Sequence, residues 1–151
     1  MDERILYSHV ELATELANIS LGLTFLVYGE YESKHIPKAL QEGLAVCQEV
    51  KSWRELTIRS DDHFTARSLD QERFVRNLEQ IPEGKVFLGG IDELVSYFNH
   101  ATTALQKREI STEIQTNTAK VSEQLSILSL ALLQYDALQG RIQRGEFRDY
   151  S

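Results

Sequence analysis

The chain has 151 residues, 42% hydrophobic and 26% charged, which suits one domain with a sizeable core and excludes disordered and collagen-like classes. Its net charge is −7, and residues 1–50 carry most of it, with eight acidic and three basic side chains. That balance disfavours a nucleic-acid partner, since duplex binding rests on clustered Lys and Arg. Residues 51–106 are at −2, and residues 107–151 are neutral with six charges of each sign. An acidic N-terminal third first of all keeps a protein soluble, and secondarily offers a face to a basic partner.

The single cysteine, Cys47, allows no intrachain disulfide. The opening Met1-Asp2-Glu3-Arg4 does not read as a signal peptide. The longest dense apolar run, Leu125 to Leu133, falls short of the ~20 residues a bilayer span needs. A cytoplasmic chain with no membrane partner is therefore expected. Asn18-Ile19-Ser20 matches a glycosylation acceptor, which in such a chain is read as chance.

Asp2 to about Asn18 reads as an amphipathic helix, with Leu6, Val10, Ala13 and Ala17 at helical spacing. Ile19 to Tyr31 is ambiguous. Ile19, Leu21, Leu23, Phe25 and Val27 alternate with polar or small residues as in a strand, yet the run also continues the first helix. The helix reading is preferred, because a strand would find only short partners near Leu56–Arg59 and Lys85–Leu88. Gly29 to Ile36 predicts a turn, and Pro37 suits the first position of a second helix reaching about Leu56. Leu40, Leu44, Cys47, Val50 and Trp53 then face inward, which makes Cys47 a small core residue rather than a reactive thiol. Ser68 and Gln71 form a capping-box pattern for a short helix ending near Gln80, and Ile81-Pro82-Glu83-Gly84 predicts a turn.

Gly89-Gly90 precedes a further helix with Ile91, Leu94, Phe98, Ala101 and Leu105 on one side. A break is expected near Lys107–Thr112, with Thr112 and Gln115 capping the restart. The last helix has the strongest pattern. Ile114, Thr118, Val121, Leu125, Leu128, Leu132, Tyr135, Gln139 and Ile142 alternate by four and three residues, which a helix of 3.6 residues per turn gathers on one seam. From Ser111 to Arg144 it would extend ~50 Å, beyond the ~40 Å diameter of a compact monomer of this length. Between Leu125 and Leu133 it is apolar almost all round through Ile127, Leu130 and Leu133, which predicts burial on several faces. With Leu125 and Leu132 at a, the d positions include Ile114, Val121 and Ile142. That inverts the preference of parallel zippers, and Asn117, Ser122, Gln124 and Ser129 flank the seam instead of opposed charges.

The expected fold is all-α, a single elongated helical bundle over residues 1–151 with a long C-terminal helix and a loose tail at 146–151. The alternative is α+β, with a small sheet from residues 19–31, 56–59 and 85–88. The expected function is non-enzymatic: a protein-interaction or assembly module, self-associating as a dimer through Val121, Leu125, Leu128, Leu132 and Tyr135, or a subunit of a larger complex.

Motifs for chemistry are sparse. A di-metal carboxylate bundle needs two Glu-x-x-His motifs, and the chain has one, Glu32 to His35, ahead of Pro37. Asp61-Asp62-His63 lacks the glycine of a calcium loop. Glu93 and His100 share a helical face seven residues apart. A rival class, an enzyme or small-ligand binder, would build its site from Asp62, His63, Glu93 and His100. Lys51, Arg54, Arg59, Arg67, Arg73 and Arg76 are the basic concentration, interleaved with acids. No metal or cofactor is expected.

Overall fold

A computed structural model describes residues 9–58 and 66–143, with side chains over 9–55 and 73–135. Among the described residues there are six helices and no strands: α1 (His9–Val27), α2 (His35–Ile58), α3 (Ala66–Glu79), α4 (Pro82–Gly89), α5 (Ile91–Lys107) and α6 (Thr112–Gln143). The protein is an all-α helical bundle.

The ambiguous segment after Asn18 continues α1 to Val27, and Lys85–Leu88 lies inside α4, so the small sheet does not form. The physical reason is burial. Leu12, Leu16, Ile19, Leu23 and Leu26 recur every three or four residues and are all buried, so the alternation of odd positions carries no weight. α1 ends on a left-handed glycine. Gly29 has φ 79°, and the Glu30 N–H reaches back to the Phe25 carbonyl at 2.9 Å, closing the last turn.

α2 starts at His35, two residues before the position expected from Pro37. Proline is still tolerated there, because the first four N–H groups of a helix have no intrahelical partner. The Ser33 hydroxyl accepts from the His35 N–H at 3.2 Å. α3 begins at Ala66, which puts Ser68 inside its first turn and not at the cap. The turn expected at Ile81–Gly84 is instead the start of α4, with Pro82 as its first residue. Ile81, Gly84, Phe87, Leu88 and Ile91 are buried, a helical spacing too short to be seen beside its proline and glycines.

The break between α5 and α6 falls where expected, with one change. Arg108 adopts φ 58°, and the Glu109 N–H bonds the Ala104 carbonyl at 2.9 Å. Ser111, and not Thr112, opens α6: its hydroxyl accepts from the Ile114 N–H at 3.2 Å.

In the bundle α1 lies between α6 and α2, and α2 in turn packs on α5 and α3. Two glycines set the close approaches. A Cβ on Gly22 would meet the Ala39 Cβ at 2.6 Å, and one on Gly43 would meet the Phe98 ring at 2.3 Å. α2 thereby holds α1 on one side and α5 on the other. The sequence α5, α2, α1, α6 forms an open ring whose last edge, between α5 and α6, is barely closed.

Candidate functional site

The seam expected to carry self-association is already covered. Leu125, Leu128 and Leu132 are buried, Val121 nearly so, and Tyr135 is half-buried. α1 of the same chain packs on this side of α6, and Val121 also lines the groove toward α5. Leu125, Leu128 and Leu132 are not open to a second copy while α1 stays in place.

Small residues make that cover tight. The Ser20 hydroxyl donates to the Ser122 carbonyl at 2.8 Å, and the Ser122 hydroxyl to the Ser20 carbonyl at 3.0 Å. One heptad away, the Ser129 hydroxyl donates to the Ala13 carbonyl at 2.6 Å. As the number on one helix rises by seven the number on the other falls by seven, so the helices run antiparallel in fixed register. A side-chain hydroxyl reaches the opposing backbone only if the two helices approach closely. Ser122 and Ser129 had counted in the sequence only as flanking positions without zipper charges. Their seven-residue spacing, matched by Ala13 and Ser20, was the signal for this contact.

At one end the seam finishes in an aromatic group. The His9 ring lies 4.9 Å from that of Tyr135 and stacks at 5.4 Å on Phe74, whose edge meets Trp53 at 5.4 Å. These rings join α1, α6, α3 and α2.

The middle of α6 is not buried on several faces, contrary to the expectation from its composition. Ile127 is 46%, Leu130 60% and Leu133 43% exposed. The helix has too few neighbours: α1 and α4 leave its outer side open. Beside it on α1, Val10 is 41% and Leu21 63% exposed. From the serine contacts outward, Val10, Thr14, Ala17 and Leu21 on α1 and Ala119, Ser126, Leu130 and Leu133 on α6 continue round to the side away from the core. α6 carries no charged residue from Gln124 to Tyr135, while Glu123 stands one heptad before Leu130 at the border of this face and Leu21 adjoins a depression that also holds Lys38 and Glu42. α1 is long and apolar enough to cross a membrane by length and composition, but Leu12, Leu16, Ile19, Leu23 and Leu26 are spent on the core between α2 and α6.

On the opposite side of α6, the barely closed edge is a groove of about 670 Å³ between the α4–α5 corner and α6. Here the structure brings together Glu93 and His100, which both line it, with Tyr97, Asn117, Lys120 and Gln124. Asp62 and His63 lie outside the described residues, and no group of three metal-ligating side chains occurs among those described. The Tyr97 hydroxyl donates across the groove to Thr118 Oγ1 at 2.5 Å, and Thr118 donates to the Ile114 carbonyl at 2.7 Å. Burial pushes the Tyr97 phenol up to about 12. Cys47 is likewise pushed up to about 12 by burial, which leaves no thiolate for chemistry at neutral pH.

The basic concentration has structural employment. Arg54 donates to the Leu88 carbonyl at 2.6 Å, satisfying the C-terminal end of α4. Lys51 reaches Asp92 on α5 at 2.7 Å. Their hydrogen bond raises the Lys51 pKa and lowers that of Asp92. The side chains of Arg59 and Arg67 lie outside the described residues.

Compared with protein families, curated proteins and solved structures, the chain matches no family model, no curated protein and no solved structure.

Proposed function

We propose that this protein is a non-enzymatic assembly module that self-associates through the outer face of its α1–α6 pair. The observation that carries the reading is the apolar face on which Val10, Leu21, Leu130 and Leu133 stand exposed. A two-helix face laid on its own copy by a twofold axis completes a four-helix layer, the usual isologous arrangement of dimers. The C-terminal helix keeps the role read from the sequence, but on its outer side, not through Val121, Leu125, Leu128, Leu132 and Tyr135.

Magnitudes set the strength. Full burial of a large apolar side chain contributes about 1.5–3 kcal/mol, so half-exposed ones offer roughly 1 kcal/mol each. Over both copies that is ~8 kcal/mol, against an association cost of at least ~4 kcal/mol. The dimer is therefore reversible and concentration-dependent.

Sedimentation velocity over a concentration series tests this. Leu130→Asp and Leu21→Asp are expected to hold the chain as a monomer at all concentrations with little change in melting temperature. Wild-type protein that stays monomeric throughout would refute the reading. So would flotation with neutral lipid vesicles that the same two substitutions abolish, which would assign the face to a membrane surface.

A further inference from the structure

We infer that the open α5–α6 edge receives an amphipathic helix of a partner protein, one with apolar anchors flanked by lysine or arginine. The groove of about 670 Å³ runs into a second depression of about 400 Å³, the two sharing Val86, Lys120 and Gln124. Together they follow α6 from Ile114 to Ile127, which is ~20 Å, or nearly four helical turns. The floor is apolar: Val86, Leu94, Tyr97, Ile114, Val121 and Ile127. Val86 is 65% and Ile127 46% exposed, large side chains that the bundle itself leaves uncovered.

The shape follows from the ring of helices. α5 and α6 are consecutive and joined by four residues, yet α5 is held against α2 by Phe98 on Gly43, and Tyr97 bridges to Thr118 instead of packing flat on it. A ring of helices with one unfilled edge has room for one more. α4, with eight residues, closes only the end of it.

Charge decides the kind of helix. Glu83, Glu93 and Glu123 stand on the rim with Lys120 as the one cation lining these depressions among the described residues. An apolar floor between carboxylates accepts a helix that reads apolar at i, i+3, i+4 and i+7 with basic residues beside that stripe. It disfavours an acidic helix, and α6 of a second copy has its own apolar seam at Leu125, Leu128 and Leu132 already buried. This edge and the outer α1–α6 face lie on different sides of α6 and meet along Glu123, Ile127 and Leu130.

The test uses the whole chain and a synthetic amphipathic peptide of roughly 14 residues, the length of the groove, with leucines at helical spacing and flanking lysines. A second peptide carries glutamate in place of every lysine. Fluorescence anisotropy and amide chemical-shift mapping read binding and its place. The lysine peptide is expected to bind and to shift residues 86–100 and 114–127. The glutamate peptide is expected to bind at least roughly tenfold more weakly. Val86→Asp is expected to abolish binding, and the Glu93→Lys, Glu123→Lys pair to reverse the preference; all three positions project outward, so the fold is retained. Val10→Asp, on α1 and away from both depressions, is expected to leave peptide binding unchanged, so failure here is told apart from failure of self-association. Absence of binding, equal binding of the two peptides, or shifts mapping to the outer α1–α6 face would overturn the proposal. So would groove shifts that follow protein concentration alone, which would mean a second copy fills the edge.

Discussion

α6 has two long sides that meet the rest of the molecule, and they differ in kind. Toward α1 it presents Ser122 and Ser129, whose hydroxyls bond directly to the backbone of the facing helix. Toward α5 it presents Thr118, which receives the tip of one tyrosine across a groove. The first side excludes everything else; the second leaves space. Side-chain size accounts for the difference, since small residues let helix axes approach and a phenol used as a strut keeps them apart. α6 is thus closed on one side and propped open on the other.

The largest expected effect separates core from surface on one helix. Leu128 is fully buried and Leu130 is 60% exposed, although only two residues separate them; the four-three seam includes the first and not the second. Leu128→Asp buries an unpaired carboxylate against α1 and is expected to cost at least ~4 kcal/mol, enough to unfold a marginally stable chain. Leu130→Asp is expected to change stability by about 0.5 kcal/mol or less. Thermal denaturation followed by circular dichroism compares them. Equal melting temperatures would mean that α1 does not cover the seam.

A smaller effect tests why α5 stays off α6. Gly43→Ala places a methyl group 2.3 Å from two atoms of the Phe98 ring, so α5 must move or Phe98 must leave its rotamer. Overpacking of this kind costs about 1–3 kcal/mol. Phe98→Leu is expected to recover part of the loss in the double variant, measured by urea denaturation. If the two losses simply add, the contact between α2 and α5 is not what positions α5.

Much of this fold was legible in the sequence because burial follows helical spacing. Ile91, Leu94, Phe98 and Ala101 on α5, and the seam of α6 from Ile114 to Leu132, face inward as the spacing requires. The break after Lys107 was legible from the mismatch between those two patterns. α4 was not, because eight residues with one proline and two glycines give no periodic signal of their own. Nor was the partner of the α6 seam. Periodicity says that a stripe is buried, not which chain buries it, and the decisive residues were serines that hydropathy treats as neutral. Glu93 and His100 were legible as sharing a face, and they do line one groove. The groove itself depends on where α2 holds α5, which no local pattern encodes. The exposure of Leu130 and Leu133 is likewise a matter of how many helices surround α6.

Tyr97 gives an effect of about 1 kcal/mol with a pH signature. Tyr97→Phe removes the hydrogen bond across the groove, while Thr118 keeps its bond to Ile114, so the loss is ~1 kcal/mol at neutral pH. The folded-state phenol titrates near 12, above its ordinary value of 10.0, because burial disfavours the phenolate. Its contribution is therefore complete below pH 10 and declines as the pH rises toward 12. Chemical denaturation at pH 8 and pH 11 is expected to show the gap between wild type and Tyr97→Phe narrowing at the higher pH. A gap that stays constant between the two pH values would place the phenol in water instead of in the groove.

The smallest effect concerns the hinge that lets one helix follow another without packing on it. Arg108 holds φ 58°, a left-handed conformation that costs a residue with a Cβ about 1 kcal/mol and that glycine adopts freely. It is tolerated because the turn it makes satisfies the end of α5, through the Glu109 N–H on the Ala104 carbonyl. Arg108→Gly relieves that cost but adds freedom to the unfolded chain, so the net gain is about 0.5 kcal/mol. Arg108→Val is expected to lose at least ~1 kcal/mol, because a β-branched side chain is least compatible with positive φ. If stability follows this order while the groove-lining amide shifts stay fixed, the turn sets only the connection between α5 and α6. If the shifts at Tyr97 and Thr118 move with it, the same turn also sets the width of the open edge, and the gap between the two sides of α6 is governed from residue 108.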